Sequence, residues 1–277
     1  MIPQFALRLI CGMALGWCVS SRRDITSGFF RIQMRLLLAL AVLSALLLSA
    51  DVTWVEPTLT PESTLAANAV VSAPVSQSPS TARTIADAIR WISISVAVIA
   101  YAGSIFWALG RRVPGNLCIY LLTILCVSAL ILHSRNVPNR GTSPQQLLSD
   151  VSSAAVLGGV VTGMLLGHWY LTTPAMSIHP LWWFNKAILG AVGFRMAASL
   201  WAVAGFGATE DSTHQIWLGI RWVGGIVAPA VMTILVWRIL KHRNTQSATG
   251  VLFAGLILVF MGEMTAALLE RDTFIPY

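Results

Sequence analysis

Arg195, Arg221 and Glu263 each lie within a run of otherwise apolar residues. A charge at the centre of a bilayer costs at least about 2.5–3.5 kcal/mol, so such residues are expected to pair with one another. Two arginines near one carboxylate permit three kinds of chemistry. They can clamp helices together as an Arg–Glu–Arg cluster. They can tune Glu263 as the carrier of an ion or proton path. They can also hold an anion, such as a lipid phosphate or a substrate carboxylate. Arg8 is a fourth charge inside an apolar run, close enough to its end to snorkel outward to the interface.

Histidine is rare in membrane helices, which makes His168, in Gly167-His168-Trp169-Tyr170, a cofactor-binding candidate. It directly follows a small-residue stripe, Ala155, Gly159, Gly163 and Gly167, recurring every four residues. Small residues at this spacing let helix backbones approach closely, so packing is the plain reading. The sharper one is a groove in which a flat ring, haem b or quinone, lies against the backbone beside His168. His179 and His242 fall toward the same side as His168, and His133 and His214 toward the other. None of the five sits deep in a span. The four cysteines lie in apolar stretches without CxxC spacing, so neither disulfides nor a metal site is expected of them.

The elements that must position these residues follow from composition. Only 10% of the 277 residues are charged and 56% are apolar. A soluble domain carries about 25% charged residues, so this chain cannot cover a water-facing surface. A mean hydropathy of +0.73 agrees. Crossing the hydrocarbon takes about 20 apolar residues, and eight stretches qualify: 2–19, 32–50, 89–109, 115–133, 151–171, 182–206, 215–237 and 248–269. The expected fold is an all-α polytopic membrane bundle of about eight helices.

The net charge of +7 is an orientation signal. With the N-terminus outside, the inner side holds ten Lys and Arg, among them Arg22, Arg23, Arg111, Arg112, Arg238 and Lys241, and the outer side five. Cytoplasmic loops concentrate such residues, so both termini are expected outside, and no nucleic-acid partner is needed to explain the charge. Tryptophans support the same spans: Trp17, Trp169, Trp182 and Trp183 fall at the inner boundary, where amphipathic rings collect. Asp150 and Glu270 are assigned to the outer boundary. Of twenty-nine charges, this leaves only Arg8, Arg195, Arg221 and Glu263 within spans.

Three regions are expected: an N-terminal transmembrane hairpin (1–50), a Pro/Ser-rich extracytoplasmic loop (51–88) and a six-helix block (89–277). Pro229, after Gly224 and Gly225, interrupts the seventh span without a counterpart in the N-terminal half, so the inverted repeat of transporters is not evident. No nucleotide-binding, hydrolase or zinc-protease motif occurs. Gly167–Leu171, and Ser247-Ala248-Thr249-Gly250 leading to Phe260-Met261-Gly262-Glu263, resemble segments of polytopic bacterial membrane proteins, a likeness that implies no activity. The expectation is a non-catalytic subunit of a larger complex in the bacterial cytoplasmic membrane, with the lipid bilayer and other membrane subunits as partners. The alternatives are a haem- or quinone-linked electron-transfer subunit, and a small transporter or proton channel.

Overall fold

A computed structural model describes residues 2–53, 79–136, 143–173, 176–206 and 212–276. It contains eight helices long and apolar enough to cross a membrane. They are α1 (Ile2–Val19), α2 (Ser27–Thr53), α3 (Pro79–Ala108), α4 (Arg112–Asn136), α5 (Ser143–Thr172), α6 (His179–Phe206), α7 (Ser212–Lys241) and α8 (Thr245–Thr273). The chain is therefore an all-α, multi-pass membrane protein. An even number of spans puts both ends on one face.

Several helices outrun their apolar stretches. α5 starts eight residues before the segment beginning at 151, and α8 continues four beyond 269. Hydropathy stops at the first charge, whereas a helix continues while its backbone bonds are made and its neighbours shelter the side chain. The loop expected over 51–88 is helical at both edges, to Thr53 and from Pro79. Its Pro/Ser-rich middle lies outside the described residues.

α1 and α5 are the most buried spans. α1 packs on α2, α4 and above all α5, and α5 in turn meets α4, α6 and α8. The N-terminal helix thus lies against the later block, and α2 pairs mainly with α3. The α1–α5 crossing is backbone against backbone. A Cβ on Gly158 would sit 1.9 Å from the Gly12 carbonyl carbon, and one on Gly12 would sit 1.7 Å from the Ala154 oxygen.

A second such crossing joins α7 to α8, where a Cβ on Gly262 would lie 2.2 Å from the Gly225 Cα. Here α7 is interrupted by a π-helical turn, Val223–Val227. Pro229 has no N–H, and its ring crowds the carbonyl four residues back, at Gly225. The wider turn absorbs that conflict.

At the opposite face from the termini, Trp169 Nε1 donates to Thr26 Oγ1 (2.8 Å) and Phe30 stacks on Trp107 at 4.6 Å. Trp17 departs from the interfacial role expected of it. It is fully buried and belongs to the main hydrophobic core of the bundle.

Candidate functional site: a buried ionic chain

The charges of the bundle gather in two adjoining clusters. The deeper one joins α6, α7 and α8. Glu263 of α8 takes a two-pronged contact from Arg195 of α6, Nε to Oε1 and Nη2 to Oε2, both 3.0 Å. Ser153 of α5 donates to Oε2 at 2.6 Å, and Arg221 Nη1 of α7 lies 3.1 Å from Oε1. Arg195 uses its remaining Nη1 on α5, donating to Ser149 Oγ at 2.8 Å and to the Ser149 carbonyl at 3.2 Å. Arg195, Arg221 and Glu263 are all within 1% of complete burial. The three residues singled out in sequence thus meet, with Ser149 and Ser153 as partners the sequence reading did not name.

The second cluster corrects the assignment of Arg8, Asp150 and Glu270. Arg8 does not snorkel: it is 2% exposed and turned inward. Its Nε donates to Asp150 Oδ1 at 2.8 Å, its Nη2 reaches the same oxygen, and Nη2 also lies 3.0 Å from Glu270 Oε2. Gln146 Nε2 donates to Glu270 Oε1 at 2.6 Å. Asp150 and Glu270 are buried inside the bundle because α5 and α8 extend past their apolar runs. Among the described residues, six charges, not four, are therefore buried within the bundle.

Helical spacing explains the arrangement. Gln146, Ser149, Asp150 and Ser153 are three or four residues apart and share a face of α5. Glu263 and Glu270 are seven apart on α8, two turns, which separates them by about 10 Å along the axis. Each carboxylate thus meets a different arginine, and Ser149 next to Asp150 joins the two clusters. The polar face of α5 was the available signal. It was hidden because the apolar segment begins only at residue 151.

Arg221, Asp150 and His133 are among the described residues with buried polar atoms that lack a hydrogen bond. Arg221 touches Glu263 but makes no well-directed hydrogen bond from any of its three nitrogens. Asp150 Oδ2 has no partner, and neither has the buried His133 Nε2 at the end of α4.

The small-residue stripe of α5 is distributed over several surfaces. Gly159 and Gly163 face Ile188 of α6, and Gly167 faces Thr249 of α8. Ala155 and Gly159 form the floor of an apolar groove of about 320 Å³, walled by Gly12 and Gly16 of α1 and by Ala187 and Gly190 of α6. His168 is exposed and is not among the residues lining that groove. No group of three or more His, Cys, Asp or Glu able to hold a metal ion occurs among the described residues.

No family model, no curated protein and no solved structure matches the chain. The functional reading therefore rests on this geometry alone.

Proposed function

We propose that the chain is a non-catalytic integral subunit of a larger complex in the bacterial cytoplasmic membrane. Its ionic core fixes α1, α5, α6, α7 and α8 relative to one another, so that the groove between α1 and α6 is presented to a partner's helix. The observation that carries the reading is the groove itself. Seven of its thirteen lining residues are glycine or alanine, which suits close helix approach in lipid, and the other six are larger apolar side chains such as Trp183 and Phe184. It lies beside residues held in place by paired charges.

A photo-crosslinking residue at Gly190 tests this in native membranes, since a side chain there meets nothing within 4 Å. A defined second membrane polypeptide is the expected adduct. Adducts only to lipid, or only to another copy of the chain, would overturn it.

One observation favours a second reading, the proton channel. The two clusters touch through Ser149 and Asp150 and lead from near the terminal face toward mid-membrane. Both oxygens of Glu263 are occupied by arginine or serine donors, which suits a fixed clamp better than a mobile carrier. Proton flux into liposomes, abolished by Glu263→Gln with folding retained, would favour the channel. The haem- or quinone-linked alternative draws no support from the groove, which His168 does not line. A Soret band in the purified protein would revive it.

A further inference from the structure

α6 has two faces. It meets its own bundle through Phe184, Ile188, Val192 and Arg195, all buried. On another side Trp183, Ala187, Gly190, Phe194, Ala197 and Trp201 are all exposed, spaced 4-3-4-3-4 along the helix. That is the heptad repeat of a left-handed helix pair, in which the seam residues of one helix insert between those of the other. The first four seam residues also line the groove, where Gly12 and Gly16 of α1 form the opposite wall. The seam alternates bulk with gaps: a Cβ on Gly190 would meet nothing within 4 Å.

A charge flanks this seam. Lys186 stands about two turns into α6, roughly 10 Å along the axis, and is exposed immediately before the seam residue Ala187. In the heptad it takes the flanking position whose charge sets partner choice in helix pairs. It lies 5.8 Å from the centre of the Trp237 ring on α7, and no carboxylate pairs with it among the described residues. A cation on a lipid-facing helix surface is expected to find a counter-charge. A second copy of the chain has no helix to supply one. Among the described residues Asp24 is the one acid toward that face, and it sits in the α1–α2 turn with Ser21 Oγ donating to it at 2.6 Å.

We propose that the exposed face of α6 binds one transmembrane helix of a different polypeptide as a left-handed pair, with an Asp or Glu of that helix at the depth of Lys186. The inference rests on the partner-helix reading above and adds the register and the charge by which that helix is recognised. Its small residues lie against Trp183, Phe194 and Trp201, and its larger ones fill the gaps at Ala187, Gly190 and Ala197. The two helices cross at about 20°. A carboxylate in lipid needs a counter-charge as much as Lys186 does, so pairing favours the complex over the separate chains. A helix of the same shape without the acid leaves Lys186 alone, which is how the face discriminates.

The test is a photo-crosslinking scan of the full chain in native membranes, with the probe residue placed in turn at Ala187, Gly190, Phe194 and Ala197. Met196, exposed on another side of α6, is the comparison. The expected result is one polypeptide, not a copy of this chain, captured at all four seam positions and not at Met196, through a helix that carries an acid at the depth of Lys186. Lys186→Glu should cut capture at Ala197 at least about tenfold, because like charges then face each other. Lys186→Arg should retain it, and changing the partner's acid to Lys should restore it in Lys186→Glu. Capture of one partner that is equal at Met196, or indifferent to Lys186→Glu, overturns this inference and leaves the partner-subunit reading in place. Capture of lipid alone, or of another copy alone, at every position overturns both.

Discussion

Arg195 and Arg221 both touch Glu263, yet they do not hold equivalent places. Arg195 spends its donors on Glu263 and Ser149, whereas Arg221 has one ion contact and no hydrogen bond. Removing one partner of a buried ion pair leaves an uncompensated charge, costing about 3–5 kcal/mol. Glu263→Gln should therefore destabilise the protein by about that amount, seen as lost thermal stability in nanodiscs and lower abundance in the membrane. Arg195→Lys should recover little, because an ammonium cannot reproduce the two-pronged contact. Arg221→Met should be close to neutral or stabilising, because an apolar side chain replaces an under-bonded charge while Arg195 still neutralises Glu263. Equal losses from Arg221→Met and Arg195→Lys, measured in one unfolding assay, would contradict this ranking.

At the level of elements, the charges meet because helices cross where side chains are missing. α1 reaches α5 at Gly12 and Gly158, and α7 reaches α8 at Gly225 and Gly262, one residue before Glu263. Gly158→Val and Gly262→Val must push two backbones apart, and each is expected to cost several kcal/mol, the upper range of single substitutions. Gly193→Ala, on the open face of α6, meets nothing within 4 Å. It should be tolerated and even gain up to about 1 kcal/mol from helix propensity. Thermal unfolding of the three variants side by side checks the contrast. The π turn carries one residue more than an α-helical path would. Deleting Val223 should rotate Arg221 relative to the rest of α7 and break its contact with Glu263, to be read as altered crosslinking between cysteines placed on α7 and α8.

For the whole molecule, eight spans with sorted charges predict sidedness. His242 in the α7–α8 turn and Arg271 near the end of α8 are exposed on opposite faces of the bundle. In intact cells a membrane-impermeant maleimide should label Arg271→Cys and spare His242→Cys, and inverted vesicles should reverse the pattern. The native Cys11, Cys118 and Cys126 are buried free thiols and should stay unlabelled until the protein is unfolded. Labelling of His242→Cys from outside would invert the orientation read from Lys and Arg.

What the sequence determined by itself was set by solvent. So few charges in so apolar a chain fix membrane helices, their number and near-positions, because the cost of burying charge in hydrocarbon acts on every residue independently of its neighbours. It also marked Arg195, Arg221 and Glu263, since a charge inside an apolar run is visible without knowing what it touches. The tertiary structure alone decided the pairing. Arg8 meets Asp150, 142 positions away, and Glu270, 262 away. Asp150 and Glu270 read as boundary residues until neighbouring helices close over the extended ends of α5 and α8. Which glycines bring backbones together is likewise a matter of partners. Gly158 lies outside the regular stripe, yet it makes the closest crossing of α5, because Gly12 happens to face it. Desolvation is local and legible; charge pairing and close packing are properties of two segments at once.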